Sequence, residues 1–427
     1  MRDLSVKDIT LMRGVFCTSK NAPQMLQIAS AVWYNKTERT VFDMLLIKNG
    51  KIKPMSGADI DSGYVLIDDN GKIAEVGSGE IEVAGATVID AAGRLVTPGC
   101  VEAHCHIGVD NSAMRWEGAD YNEMSDAITP HMRAIDGINP IDETFGLAIK
   151  GGVTSACTGP GSANVVGGTF AAIKLVGRRV DDMIIKNPVA MKCAFGENPK
   201  GVYGQNGKKA PVTRMAVAAM LRELLFKTRG YCEAKESGKA PSFDMKLEAM
   251  IPVIKREIPL KAHAHRADDI LTSIRIAKEF DVMLTLDHCT DGALIAEELA
   301  GEGYPAFVGP SFGNKSKIEL RNKDFATPAV LHAAGVPVSI ITDAPVIPLE
   351  NLPMCAGFAV KAGLPYEEAW RAITINPAVQ TGIGDRVGSL EAGKDADVVI
   401  WSADPLTEIG TTAYMTIVDG RIVYRAD

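Results

Sequence analysis

Hydrophobic and polar residues alternate in two different ways along this chain. Residues 42–96 contain apolar runs of three to five residues, separated by turn signals such as the Asn-Gly pairs at 49–50 and 70–71. Short runs bounded by such turns are typical of antiparallel β-strands. Similar runs return near the C-terminus, between residues 397 and 424. We therefore predict one small β-sandwich domain built from both chain ends, residues 43–98 and 385–427.

Between these two pieces, strand-like runs alternate with helical patterns, as in parallel βα units. The helical patterns include residues 213–236, the apolar i, i+4, i+7 spacing from Ile270 onward, and residues 366–373. Eight strands are predicted, at residues 101–106, 153–158, 169–175, 189–194, 259–263, 282–287, 306–309 and 337–342. Eight is the strand number of a closed (β/α)8 TIM-type barrel. We predict an α/β fold with this barrel over residues 99–384, and we leave residues 1–42 as an unassigned N-terminal extension.

Composition narrows the possible partners. The chain has 427 residues, 46% of them hydrophobic and 23% charged, which is typical of a globular protein with a sizeable core. Its formal net charge of −8 argues against nucleic acid or an anionic membrane as the main partner. No apolar run is long enough for a transmembrane helix, and the first residues lack the apolar core of a secretory signal. The eight cysteines show no C-x-x-C spacing, so we expect reduced thiols in a cytoplasmic protein.

Five of the seven histidines lie at or just beyond the ends of predicted strands. They are His104, His106, His263, His265 and His288, and Asp343 ends the last predicted strand. In a barrel of this type, the carboxyl ends of the strands meet at one mouth where catalysis occurs. Any one of these histidines alone would be read as a packed core residue. Together, imidazoles and a carboxylate that converge at one mouth predict a site for zinc or a similar divalent ion.

Lys192 lies within the apolar strand at 189–194, where a cation is costly to bury. Burial lowers the pKa of a lysine and favours the neutral, nucleophilic amine. Such an amine can add CO₂ to form a carbamate, an anionic ligand able to bridge two metal ions. From Lys192 alone, a side chain that reaches the barrel mouth or pairs with an acid is an equally good interpretation.

The chain resembles the metal-dependent amidohydrolases, most closely the imidazolonepropionase and Xaa-Pro dipeptidase (prolidase-like) branch. The resemblance extends over roughly residues 43–427. It rests on the turn at 96–99 before His104-Cys105-His106 and on the tail at 388–399. It also rests on later candidate residues that follow in the same order as in that family. The later candidates are Lys192, His263, His288 and Asp343.

The resemblance implies a binuclear hydrolase that cleaves an amide, peptide-like or cyclic amide C–N bond. His104, His106 and Asp343 would hold the deeper ion, His263 and His288 the more exposed one, and carboxylated Lys192 would bridge them. The resemblance implies two divalent ions, with Zn²⁺ expected first. A hydroxide between them would attack the substrate carbonyl. Asp343 would carry its proton to the leaving nitrogen.

Other residues concern the substrate rather than the metal. His265 stands where deaminases of the superfamily often carry a glutamate, which argues against deamination; it either contacts the substrate or makes a structural hydrogen bond. The glycine-rich segment around Gly161 could bring backbone N–H groups to a carboxylate, although a simple turn is the plainer interpretation. Tyr203 and Arg266 follow strands four and five and are the remaining candidates for substrate binding.

Two alternatives stay open beside the binuclear hydrolase. One is a mononuclear zinc enzyme of the imidazolonepropionase or deaminase kind, with the ion held by His104, His106, His263 and Asp343 and with Lys192 unmodified. The other is a non-catalytic relative, which the full set of ligand-type residues disfavours. The expected partner is a small amide or peptide-like substrate, and a homo-oligomer is expected from the resemblance.

Overall fold

The structure, a computed structural model, describes residues 44–427. The predicted N-terminal extension, residues 1–42, lies outside the described residues. The rest of the chain forms two sheets, each of eight strands.

The first sheet joins the two chain ends. Its strands are β1 (Leu45–Ile52), β2 (Ile60–Ile67), β3 (Ile73–Ser78), β4 (Thr87–Asp90), β5 (Leu95–Pro98), β14 (Val398–Trp401), β15 (Ala413–Val418) and β16 (Arg421–Arg425). They are ordered β16-β15-β14-β5-β1-β2-β3, and β4 pairs with β1. The junction is the antiparallel pair β5–β14, in which Thr97 faces Val399. Alternate apolar residues of these strands, including Ile47, Val65 and Ile417, bury one common core. The predicted fold class, with a small β-rich unit built from both chain ends, is confirmed, and the predicted domain bounds stay a prediction.

The second sheet is the barrel. Its strands are β6 (Cys100–Cys105), β7 (Val153–Thr158), β8 (Val166–Lys174), β9 (Ile184–Ala194), β10 (Leu260–Ala264), β11 (Leu284–His288), β12 (Ala306–Val308) and β13 (Val338–Ile340). They follow one another in chain order around the sheet. All eight predicted strands are present, and the TIM-type barrel is confirmed.

One strand departs from the expected parallel arrangement. β8 pairs antiparallel with both β7 and β9, whereas the other barrel pairs are parallel. All nine residues of β8 are buried, so neither face of the strand is exposed to solvent. A fully buried strand has the same hydrophobic pattern in either direction, and for this reason the sequence did not reveal the reversal.

The first and last strands are joined across the remaining gap of the barrel by individual hydrogen bonds. The buried carboxylate of Glu102 on β6 accepts from the backbone N–H and the hydroxyl of Thr342, at 2.9 and 2.6 Å. Nearer the mouth, the N–H of His106 donates to the carbonyl of Ala344. These contacts fix the chain beyond β13 against the chain beyond β6, where two groups of the predicted site lie.

The helices lie outside the barrel strands in the chain's alternating order. They are α1 (Glu143–Lys150), α2 (Val180–Met183), α3 (Glu197–Pro199), α4 (Arg214–Glu236), α5 (Met245–Ile254), α6 (Ala267–Phe280), α7 (Ala296–Ala300), α8 (Thr327–Ala333), α9 (Leu352–Lys361), α10 (Tyr366–Arg371) and α11 (Ile375–Gln380). Shorter turns of 3₁₀ helix occur at Ala134–Asp136, Gly292–Ile295, Ile318–Leu320 and Leu349–Asn351, and a π-helix at Lys200–Asn206. The helix predicted at 213–236 is confirmed, and it begins where the Thr213 hydroxyl accepts from the N–H of Ala216.

Two further expectations concern the whole described chain. Among residues 44–427, no helix combines the length and apolar character needed to cross a bilayer. The seven cysteines in this part of the chain are all free and buried.

Candidate metal centre

The predicted site residues meet at the carboxyl ends of the barrel strands. His104 lies on β6 and His106 just beyond it, His263 lies on β10, and His288 is the last residue of β11. Each of these four imidazoles is at least 93% buried. Because each strand ends at the same mouth, residues far apart in the sequence become neighbours there.

Asp343 joins the two histidines of β6. Its Oδ1 atom lies 3.3 Å from Nε2 of His104 and 3.3 Å from Nε2 of His106. His288 completes this inner group, since its ligand atom lies within 4.8 Å of those of His104 and Asp343. His104, His288 and Asp343 therefore form one group of possible ligand atoms, and His106 joins it through its contact with Asp343.

A second group of three histidines lies beside the first. The rings of His263 and His288 are 4.4 Å apart between centroids, and His265 lies 4.6 Å from His263 and 4.7 Å from His288. Their ligand atoms fall within 4.8 Å of one another. His288 belongs to both groups and connects them.

Hydrogen bonds from the surrounding chain fix which nitrogen each ring presents. Nδ1 of His106 lies 2.7 Å from the carbonyl of Gly159, and Nδ1 of His288 lies 2.7 Å from the carbonyl of Gly309. A carbonyl oxygen only accepts, so Nδ1 carries the hydrogen and Nε2 presents its lone pair to the mouth. This outer hydrogen bond is the usual arrangement behind a metal-binding imidazole.

Burial keeps the imidazoles neutral. It lowers the pKa of His288 to about 3 and holds the pKa of His263 and His265 well below the usual value. For Asp343, burial alone would raise the pKa, but the neighbouring imidazoles, His288 first, lower it well below the usual range. Near neutral pH these three imidazoles are thus uncharged and the carboxylate of Asp343 is ionised, the forms that bind metal ions.

Lys192 reaches this site from β9. Its side chain is fully buried, and Nζ lies 3.4 Å from Nε2 of His104 and 3.3 Å from Oδ2 of Asp287. Burial lowers the pKa of Lys192, and the nearby charge of Lys261 lowers it further, while Asp287 raises it. The outcome is a pKa below that of an ordinary lysine, as predicted for an amine that can accept CO₂.

Two buried charges beneath the histidines were missed from the sequence. Asp287 accepts from Nζ of Lys261 at 3.1 Å, and its other oxygen lies 2.9 Å from Nδ1 of His104. Asp287 therefore orients the ring of His104, and its single negative charge is shared between Lys261 and Lys192. The sequence does contain a signal for Lys261. It precedes His263 by two residues on the same strand, and so its side chain lies on the same face.

The donor set fits a divalent metal ion. Within residues 44–427, Nδ1 of His263 is buried without a hydrogen-bond partner, which is costly unless a further group binds there. Imidazole nitrogens with one carboxylate suit zinc and similar ions.

Backbone geometry supports the same conclusion. His288 and Asp343 have positive φ angles of 74° and 54°. Side chains rarely adopt this left-handed region, and such strain is concentrated at functional sites.

Comparison with known proteins decides the family. The Amidohydrolase family model matches residues 95–423, about three quarters of the chain. The chain belongs to the amidohydrolase family. It is a hydrolase acting on carbon–nitrogen bonds, and the family is metal-dependent.

The amidohydrolase has relatives of several kinds. The amidohydrolase tasK of Hapsidospora irregularis is 30% identical over 78% of this chain, but the match spans only 37% of tasK. The imidazolonepropionase of Rhizobium rhizogenes is 26% identical over 84% of this chain and 92% of its own length. Among solved structures, an amidohydrolase from Thermotoga maritima MSB8 has a TM-score of 0.86 and 40% identity, covering 90% of this chain and 100% of that one. The expected superfamily is confirmed, and imidazolonepropionases of the expected branch are among the relatives.

The residues predicted to bind substrate in this amidohydrolase are placed differently from its histidines. The hydroxyl of Tyr203 donates to the carbonyls of Glu123 and Asp126, and the N–H of Gly161 donates to the carbonyl of Tyr121. Arg266 makes two hydrogen bonds with the carboxylate of Asp268, at 3.0 and 2.8 Å. These groups are thus engaged within the protein, and their role towards a substrate stays a prediction.

His265 is placed among the histidines. Its Nδ1 lies 2.8 Å from the hydroxyl of Thr290, so a structural hydrogen bond is present. Its ring nevertheless lies in the second histidine group, so the contact with Thr290 and a contact with substrate are compatible.

Proposed function

We propose that this amidohydrolase uses two divalent ions, Zn²⁺ first among the candidates, to cleave an amide, peptide-like or cyclic amide C–N bond. His104, His106 and Asp343 would hold the inner ion, and His263 and His288 the outer one. Lys192, carboxylated on Nζ, would lie between them. The observation that carries the proposal is the position of Asp343 Oδ1, 3.3 Å from both Nε2 atoms of the His-x-His pair, with the amine of Lys192 beside His104.

When bound, such ions polarise the substrate carbonyl and lower the pKa of water. The protein's own contribution begins with Asp343, which is ionised near neutral pH because neighbouring imidazoles lower its pKa. Asp343 would accept a proton from the attacking water and deliver it to the leaving nitrogen, so that the amine departs neutral. His265, at the edge of the second group, would contact the substrate.

One specific observation supports the alternative of a single metal ion. Lys192 lies 3.3 Å from Asp287, an arrangement that also suits an unmodified ammonium. A single zinc ion would then be held by His104, His106, His263 and Asp343, as in an imidazolonepropionase-like or deaminase enzyme. Relatives named imidazolonepropionase are among the sequence matches.

Metal analysis and a substrate screen test the proposal together. We expect about two equivalents of zinc per chain. The zinc-loaded protein should turn over some Xaa-Pro or other dipeptide, N-acyl amino acid or small lactam, and a chelator should abolish this turnover. Asp343→Asn is expected to lower kcat by roughly 10³-fold, since it removes both an ion ligand and the proton carrier.

The control for this screen is Asp268→Asn, which changes an exposed carboxylate near the mouth that contacts Arg266 and, at 3.8 Å, Arg214. One equivalent of metal with unchanged turnover in Lys192→Ala would favour the mononuclear alternative. The absence of metal-dependent turnover across the whole screen would contradict the proposed function.

The proposal also includes the kind of substrate, the cellular location and the oligomeric state of the enzyme. We infer a small-molecule substrate, a cytoplasmic location supported by the free buried thiols, and a homo-oligomer.

A further inference from the structure

One lysine at the mouth is left without a role by the proposed chemistry. Lys317 lies in the loop after β12, at a carboxyl end of a barrel strand, and its Nζ donates to Oδ1 of Asn198 at 3.0 Å. The other amide atom of Asn198, Nδ2, lies 3.4 Å from Nε2 of His263. One side chain therefore separates the ammonium group from the second histidine group.

Asn198 is itself held in place. Its Nδ2 donates to the hydroxyl of Ser162 at 2.7 Å, on the segment between β7 and β8. With both ends of the amide engaged, Asn198 fixes the position of Lys317 relative to the histidines. The charge of Lys317 is close enough to lower the pKa of both His263 and His265.

The carboxylates around Lys317 do not fully balance its charge. The nearest, Glu319, lies 3.7 Å away, beyond hydrogen-bond distance. Glu319 is also shared with Arg214, at 3.3 Å, and with the backbone N–H of Glu197. The Lys317 side chain is 22% exposed.

The direction of its pKa agrees with this imbalance. Burial lowers the pKa of Lys317 by more than Glu319, Asp343 and Glu197 raise it. A half-buried ammonium whose partners do not offset its burial is stabilised when another anion binds.

We propose that Lys317 forms an anion-binding subsite of the mouth and takes a carboxylate that the substrate carries close to its scissile C–N bond. The substrate class is then an acidic amide, such as an N-acyl amino acid or a dipeptide with a free carboxylate. This inference rests on the proposed function, because it treats the mouth as the substrate site. Arg266, the cation among the predicted substrate-binding residues, has its guanidinium occupied by Asp268.

The test uses binding of a compound that cannot be hydrolysed. In 4-oxopentanoate a ketone replaces the amide of N-acetylglycine, and 5-methylhexan-2-one has the same shape without the charge. Calorimetric titration of the zinc-loaded protein should show at least about tenfold tighter binding of the acid, as expected for one charge-assisted hydrogen bond. Lys317→Met should abolish this preference, and Lys317→Arg should retain it.

The matched control is Lys315→Met, which removes an exposed lysine two residues earlier in the same loop. Zinc content equal to wild type would show that the Lys317 variants are folded. Equal binding of the two compounds by wild type, or a preference that survives Lys317→Met, would overturn the inference.

The same preparations separate this inference from the proposed function. Acid preference that depends on Lys317, without turnover of any amide, would leave the subsite standing and the proposed function contradicted. Turnover of acidic and neutral amides alike, unchanged in Lys317→Met, would contradict the anion-binding subsite and leave the proposed function standing.

Discussion

Two buried lysines on neighbouring strands have opposite surroundings. Lys174 on β8 contacts three aspartates, Asp397 at 2.7 Å, Asp395 at 3.1 Å and Asp419 at 3.2 Å. Lys192 on β9 has a single aspartate, Asp287, at 3.3 Å, and Lys261 shares it. Both side chains are almost completely buried, at 4% and 0% exposed.

The pKa values of these lysines move in opposite directions. Burial lowers both, but at Lys174 the aspartates, Asp397 first, outweigh burial and raise the pKa. At Lys192 burial prevails and the pKa falls. The excess or shortage of nearby carboxylates therefore decides whether a buried lysine is a fixed cation that joins parts of the fold or an amine available for chemistry.

The largest expected effect is at Lys192. Lys192→Ala should lose one equivalent of metal and reduce kcat/KM by roughly 10³–10⁴-fold, because the ligand proposed to lie between the ions is gone. Added acetate or propionate should restore part of the activity by occupying the vacated volume with a carboxylate. Steady-state kinetics and metal analysis check this, with Lys174→Ala as the control variant whose activity these acids should leave unchanged. Undiminished activity in Lys192→Ala would contradict the role of Lys192 as the lysine that takes part in the chemistry.

Lys174 should affect stability instead. Lys174→Met leaves buried carboxylates without their partner and should lower the free energy of unfolding by about 3–5 kcal/mol. Urea denaturation followed by circular dichroism measures this change. Lys227→Met, at an exposed ion pair with Glu223, serves as control and should change it by less than about 1 kcal/mol. If zinc content or kcat of folded Lys174→Met fell, the separation of roles would be wrong.

The smallest expected effect depends on pH. Burial would raise the pKa of Asp395, but Lys174 and then other cations lower it from 3.8 to about 2. A depressed folded pKa stabilises the protein above the unfolded value, and this contribution disappears as pH falls from about 4 to about 2. Asp395→Asn should therefore be less stable than wild type by about 2 kcal/mol near neutral pH. In urea titrations the difference should shrink through that acidic window; a difference independent of pH would argue against the ion pair.

The sequence predicted the parts of this molecule that depend on local pattern. The eight barrel strands and the positions of His104, His263 and Asp343 follow from apolar runs and from what stands at their ends. Convergence at one mouth then follows from the barrel itself.

What the sequence did not predict depends on contacts between distant segments. The pairing of Asp287 with Lys261 joins side chains from different strands, and the contact of Lys317 with Asn198 joins a loop to the short helix α3. Arg266 looked available in the sequence because its partner Asp268, only two residues away, could equally have faced solvent. Hydrophobic pattern specifies which face is buried, but it does not specify which polar groups meet inside.

The reversed strand β8 has a consequence for how the barrel forms. Its connections to β7 and β9 span only residues 159–165 and 175–183, whereas parallel neighbours need a longer crossover. Short loops close at a lower entropic cost, and contacts between residues near in sequence form quickly. The meander β7–β8–β9 contains Lys192 and the Gly159 carbonyl that orients His106. Part of the frame of the metal centre is thus encoded in the segment of the barrel that can fold earliest.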